Sequence, residues 1–286
     1  MINNIRLVEC PRDAMQGWPH YIPTEKKVEY INALLQVGFD TIDFGSFVSP
    51  KLIPQMADTK EVIAQLQPGD SKTNLLAIVA NVRGAEEASD YDAISCIGFP
   101  FSVSETFQQR NTNSSIDNSL SRVDAIRNTC FKKNKQLVVY ISMAFGNPYG
   151  DTYSEEIVMG WIKKIAAMDI KIISLADTVG IAGKENVYSI IKSVIEMLPQ
   201  TEIGVHLHST MLNWKDKIQA ALDAGCSRFD GAIKGIGGCP MADDVLVGNM
   251  NTEWMINYFK ELRIMPPLNI DAFEHCLTLA DDIFQF

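Results

Sequence analysis

His206 and His208 flank Leu207, and this His-x-His spacing is the sharpest chemical signal in the sequence. On a strand, residues i and i+2 face the same side, and about 3.3 Å of rise per residue sets their Cα atoms about 6.6 Å apart. Two imidazoles so placed can close on one metal ion. Asp13 offers a carboxylate and Asn249 an amide oxygen, both hard donors. Two nitrogens and two oxygens, with two positions left for water or substrate, make a six-coordinate site that suits Mg²⁺ or Mn²⁺ better than a closed zinc site does. Taken in isolation, a His-x-His pair on an apolar strand reads equally well as a hydrogen-bonded core pair, because short motifs match by chance.

Arg12 directly precedes Asp13, which puts its cation where a developing enolate oxygen would need one. A structural salt bridge is the competing reading. Cys239 stands between Gly237-Gly238 and Pro240, a loop able to swing a thiol over a bound substrate as acid, base or lid contact. The competing reading is a glycine turn with a passive cysteine. Asp43 and Asp177 read as supporting carboxylates, caps or loop braces. His20 and His275 have no partners by spacing. The Gly-rich run lacks the lysine and threonine of a phosphate loop, which excludes a nucleotide reading.

These residues need elements to bring them together. Short apolar, β-branched runs recur near residues 5–9, 40–44, 74–79, 92–96, 136–142, 171–175, 202–208 and 228–233. Amphipathic stretches separate them, such as Thr24–Val37, where Val28, Ile31, Leu34 and Leu35 fall close to one helical face. Thr24 and Ser154 stand at helix starts, the second the clearer cap, and Gly38 and Gly225 fit helix stops. A short helix is expected around Arg83–Ala88 and a long polar loop over Phe101–Asp117. Eight strands alternating with helices predict an α/β fold, a single (β/α)8 TIM barrel spanning 1–286 with an extra C-terminal helical segment. Arg12, Asp13, Asp43, Asp177, His206 and His208 all end or follow strands, so they gather at the C-terminal mouth where such barrels place their active sites.

The bulk properties agree with a soluble cytoplasmic enzyme. The chain has 286 residues, 47% hydrophobic and 21% charged, long enough to bury a large core. A net charge of −10 without a basic block argues against nucleic acid or an anionic membrane surface as partner. Six scattered cysteines without a C-x-x-C pair read as reduced thiols. The opening residues enter a strand-like run at once, so neither a signal peptide nor a transit segment is expected.

Several stretches together resemble 3-hydroxy-3-methylglutaryl-CoA lyase, a family of the metallolyase barrels that also include isopropylmalate and homocitrate synthases. They are Pro11-Arg12-Asp13-Ala14-Met15-Gln16, the segment from Gly45 to Asp58 with its Ser-Phe-Val-Ser-Pro-Lys core, Ser174–Gly180, Val205–His208 and Gly235–Pro240. The resemblance runs from about residue 5 to about residue 255. It implies a divalent-metal-dependent, retro-Claisen-type cleavage of a CoA thioester into acetyl-CoA and acetoacetate. It maps the metal ligands onto Asp13, His206, His208 and Asn249. Arg12 then matches the arginine that stabilises the enolate, His206 also a residue of proton transfer, Cys239 the mobile-loop cysteine and Asp43 an active-site glutamate. The chain departs from the family pattern at Ala14, usually glycine, at Asp43, and at Ser209-Thr210-Met211-Leu212 after the histidine pair. A condensing enzyme of the same superfamily, joining acetyl-CoA to a 2-oxo acid, and a non-catalytic ligand-binding barrel are the alternatives. Pairing through outer helices into a homodimer is a further expectation.

Overall fold

The β-branched runs form eight strands, β1 (Arg6–Glu9), β2 (Thr41–Phe47), β3 (Asn74–Val79), β4 (Ile94–Ser102), β5 (Gln136–Ser142), β6 (Ile172–Asp177), β7 (Glu202–Leu207) and β8 (Arg228–Gly231). In this computed structural model, which describes residues 4–238 and 247–285, each strand pairs in parallel with the next. β8 closes on β1 from Arg6↔Arg228 to Glu9↔Gly231, so the sheet is a closed barrel. The expected (β/α)8 architecture is what the chain forms.

Helices cover the outside. α1 (Pro11–Gln16) and α2 (Thr24–Leu34) follow β1, α3 (Thr59–Ile63) follows β2, and α4 (Val82–Ser89) follows β3. α5 (Glu105–Thr112) and α6 (Ile116–Lys132) follow β4, and α7 (Glu155–Ala166), α8 (Lys184–Met197) and α9 (Trp214–Asp223) follow β5, β6 and β7. α10 (Thr252–Glu261) completes the ring after β8, and α11 (Ile270–Ile283) is the extra C-terminal helix. Apolar faces of these helices meet the outward residues of the strands in one continuous core that includes Leu7, Ile42, Phe99, Ile173 and Phe229. Inward residues Leu76, Cys96, Val138, Tyr140 and Ile172 fill the barrel itself.

Some local expectations change. The polar stretch 101–117 is not a plain loop: Ser104 accepts from the Phe107 amide and caps α5, and Phe107 and the buried Gln108 anchor the helix, Gln108 Oε1 accepting from the Ser102 amide. Asp43 lies inside β2 rather than at its end, because a register shift between Asp43 and Gly45 lets the strand continue to Phe47. Thr24 does not cap α2; its hydroxyl donates to Asp58 Oδ2 at 2.7 Å instead. Ser154 does cap α7, and Gly38 and Gly225 do take the left-handed conformation, at φ +89° and +99°.

The two ends of the barrel differ in chemistry. At the N-terminal ends of the strands Arg228 donates to Asp40 at 3.0 Å and to Glu202 at 3.2 Å, and Arg6 pairs with Glu202, an ionic plug made of residues that begin or precede strands. The C-terminal end is open among the described residues. Among the described residues no helix is long and apolar enough to cross a membrane.

Candidate active site

Arg12 and Asp13 ride on α1, a six-residue helix that opens with Pro11 immediately after β1. That turn lays both side chains over the mouth, where they are buried. The Arg12 guanidinium grips Asp43 along its Nε–Nη2 edge, with Nε 2.9 and 3.0 Å from the two oxygens and Nη2 at 2.6 Å from one of them. Its remaining Nη1 donates to Asp13 Oδ1 at 3.2 Å and to Gln16 Oε1 at 2.8 Å. Burial alone would weaken the Arg12 cation, but Asp43 and Asp13 overcome it and hold the group charged. Burial pushes the Asp43 carboxyl up from its ordinary value, and Arg12 pulls it back. Asp43 is therefore the counter-ion of Arg12.

Asp13 meets donors on both oxygens. Gln16 Nε2 donates to Oδ1 at 2.6 Å, and Asn249 Nδ2 donates to Oδ2 at 2.7 Å. Burial raises its pKa, while Arg12, His206, His208 and the Asn249 amide together hold it below the usual carboxylate range. Asn249 arrives on a segment that returns antiparallel to the end of β7, through the bridge His208↔Asn249 and the bond from Met250 N to Leu207 O at 3.1 Å. Gly237, at φ +107°, makes this approach possible, since a Cβ there would lie 2.5 Å from Asn249 Nδ2 and 2.7 Å from the Asp13 carbonyl oxygen.

His206 lies near the end of β7 and His208 just beyond it, their rings 5.4 Å apart. The Nδ1 of His206 meets Asp230 Oδ2 at 3.2 Å. Burial lowers the His206 pKa, but the Asp230 hydrogen bond and charge outweigh it and the net direction is up. His208, hydrogen-bonded to the Val247 backbone, is driven down to about 4 by burial and by His206. It is neutral near pH 7 and has a lone pair to give. Ligand atoms of Asp13, His206 and His208 lie within 4.8 Å of one another. An ionised carboxylate, a neutral imidazole and a second imidazole at this separation fit a divalent cation.

Asp177 ends β6 and acts as a brace. It accepts from Lys217 Nζ at 2.6 Å, and Lys217 donates in turn to the backbone oxygen of His208 at 2.7 Å. Cys239 lies outside the described residues. Three buried ionisable residues escaped the reading of the sequence. Asp230 is an acid on an inward strand position, Lys217 a lysine on the apolar face of α9, and Glu9 an acid in β1 that accepts from Ile233 N and Thr252 Oγ1. In each the only available signal is an ionisable residue where the periodicity demands an apolar one.

The cavity above these groups encloses about 1040 Å³ of empty space, counting its open side. Arg12, Asp13, His206 and His208 line one part, and Val48, Leu52, Ile53, Ile78 and Phe107 line another. Polar side chains able to ligate and apolar ones thus line the same mouth.

A family pattern described as HMGL-like matches residues 5–279, nearly the whole chain. The chain belongs to the HMGL-like family. Within the HMGL-like proteins it is 33% identical to the cytoplasmic 3-hydroxy-3-methylglutaryl-CoA lyase of Rattus norvegicus, over 88% of this chain and 73% of that protein. It is 31% identical to a hydroxymethylglutaryl-CoA lyase of Bacillus subtilis, over 91% of this chain and 86% of the relative. Among solved structures, the HMG-CoA lyase of Brucella melitensis superposes with a TM-score of 0.92 at 27% identity, covering 99% of this chain and 100% of that one. An HMG-CoA lyase from Acinetobacter baumannii, in complex with coenzyme A and 3-methylmalate, superposes with a TM-score of 0.90 at 30% identity, over 98% and 91% of the two chains. The HMGL-like fold thus extends over the site as well as the scaffold.

Proposed function

We propose that this chain, as one barrel domain, is a divalent-cation-dependent carbon–carbon lyase that cleaves 3-hydroxy-3-methylglutaryl-CoA, or a close 3-hydroxy-acyl-CoA, to acetyl-CoA and acetoacetate. The observation that carries this reading is the meeting of Asp13, His206 and His208 within ligating distance, with the Arg12 cation bound to the same aspartate. The relatives that share the fold and the sequence are HMG-CoA lyases, and one of those structures holds coenzyme A.

Asp13, His206, His208 and the amide oxygen of Asn249 would hold the cation, and this set of two oxygens and two nitrogens, open to water or substrate, suits Mg²⁺ or Mn²⁺. When bound, the cation supplies Lewis acidity toward a substrate hydroxyl. Arg12, pinned by Asp43, keeps a fixed positive charge for the thioester enolate that leaves when the carbon–carbon bond breaks. Asp43 therefore positions Arg12. His206 has Nδ1 engaged with Asp230, which leaves Nε2 as its atom for the mouth. Cys239, which follows β8 in the sequence, is the proposed proton carrier. The five described cysteines are all buried and free, which supports placement in a reducing compartment such as the cytoplasm.

Incubation of the purified chain with Mg²⁺ and 3-hydroxy-3-methylglutaryl-CoA tests the proposal by product analysis. Equimolar acetoacetate and acetyl-CoA are expected. Turnover seen only with acetyl-CoA plus a 2-oxo acid, with release of free thiol, would replace the lyase by a condensing enzyme.

A further inference from the structure

A second group of ligating atoms meets around His206. Cys10 follows β1, His206 lies in β7 and Asp230 in β8, and β8 is the strand hydrogen-bonded to both of the others. The Cys10 Sγ, a ring nitrogen of His206 and a carboxylate oxygen of Asp230 lie within 4.8 Å of one another. Cys10 is 1% exposed and Asp230 2%, whereas His206 is part-buried and lines the mouth, which gives the group a path to solvent.

Its polar atoms are incompletely used. Asp230 places Oδ2 against His206 Nδ1, but its Oδ1 is buried with no hydrogen-bond partner. A buried carboxylate oxygen left unpaired is costly, and a cation is one way to relieve it. The Cys10 thiol has a contact to the Val8 carbonyl oxygen at 3.9 Å, a weak use of a donor. Tyr140 packs its ring edge-on to His206 at 6.1 Å, and its hydroxyl is also buried without a partner.

We propose that Cys10, His206 and Asp230 form a second cation site, one that selects a thiophilic divalent ion such as Zn²⁺ and draws His206 away from the Asp13–His206–His208 set. Charge and softness both support the assignment. A thiolate, a carboxylate and a neutral imidazole sum to −2 and neutralise a divalent ion. Sulfur and nitrogen donors favour Zn²⁺ or Co²⁺, whereas Mg²⁺ takes oxygen and would stay with the site at the mouth. Zinc bonds of about 2.0–2.3 Å set tetrahedral ligand atoms about 3.5 Å apart, so the three atoms, now within 4.8 Å of one another, close in on the ion. The thiol proton leaves to solvent as the sulfur ligates, and the ion takes its place. Tyr140 or a water completes a tetrahedron. Because His206 belongs to both sets, an ion here disables the one at the mouth, and the chain discriminates hard from soft divalent ions.

Co²⁺ reports the site without recourse to catalysis, so the result is independent of the lyase reading. The chelator-treated full chain is titrated with Co²⁺ and its absorption followed, and Zn²⁺ and Mn²⁺ affinities are measured by calorimetry. A near-ultraviolet thiolate-to-cobalt band is expected in the wild type and in Cys239→Ala, and its loss in the near-isosteric Cys10→Ser. Zn²⁺ affinity of Cys10→Ser should drop by about tenfold or more, with Mn²⁺ affinity unchanged, which also shows that the variant is folded. Absence of the band from the wild type overturns the proposal whatever the variants do. So does a band that survives Cys10→Ser or disappears in Cys239→Ala.

Discussion

The Asn249 amide nitrogen lies 2.7 Å from Asp13 Oδ2, joining residues 236 positions apart at the centre of the mouth. Asn249 also donates to the Ile236 carbonyl oxygen at 2.9 Å, so one side chain ties α1 to the segment that follows β8. Asn249→Ala removes both bonds and the proposed amide ligand. Its affinity for Mn²⁺ is expected to fall about 10- to 100-fold. Calorimetry decides the matter, and an unchanged affinity would leave Asn249 a purely structural residue.

Arg12 spans two carboxylates with a planar fork that lysine does not possess. Arg12→Lys should therefore lower kcat by about 10²- to 10³-fold, the usual cost of losing a preorganised charge at a developing oxyanion. Steady-state kinetics on 3-hydroxy-3-methylglutaryl-CoA provide the check. A rise in KM with kcat intact would assign Arg12 to substrate binding alone.

How much of this was legible in the sequence depends on the range of the interaction. Strand periodicity carried the eight strands, and the pleat carried the shared face of His206 and His208. The position of Asp13 just after a strand placed it at the same mouth. By contrast, Asp230 under His206 and Lys217 under His208 are paired across strands and helices, and no local pattern announces such partners. α5 was hidden because its polar residues, the buried Gln108 among them, mask a single apolar anchor, Phe107, and its cap, Ser104. Asp43 was read as the end of a strand because the irregularity beside Gly45 is a property of the pairing with β3 rather than of β2 alone.

Lys217 and Asp177 form an ion pair in which both side chains are 1% exposed. Removing one partner leaves the other charge buried, so Lys217→Met should destabilise the fold by about 3–5 kcal/mol. The double variant Lys217→Met/Asp177→Leu should recover most of that loss. Urea denaturation of both variants measures the difference. A single variant as stable as the wild type would show that the pair is dispensable.

Glu9 has its pKa raised from 4.5 to about 8, first by burial, with the bonds from Thr252 and Ile233 opposing. The folded chain binds the proton more tightly than the unfolded chain does. Stability from this group is thus complete below pH 4.5 and is lost as the pH rises toward about 8. Glu9→Gln, which keeps the shape and never ionises, should flatten that decline and be more stable than the wild type above pH 8. Thermal melts at pH 6 and pH 9 suffice, at about those values for a group of this shift. Parallel pH profiles for the two proteins would exclude Glu9 as the source.

The account rests on a cation held by Asp13, His206 and His208, and calorimetric titration of the chelator-treated chain with Mn²⁺ tests it most directly. One ion per chain is expected for the wild type, with affinity reduced by about 100-fold or more in both Asp13→Ala and His208→Ala. A wild-type chain that takes up no Mn²⁺, or variants that bind it as the wild type does, would contradict the account.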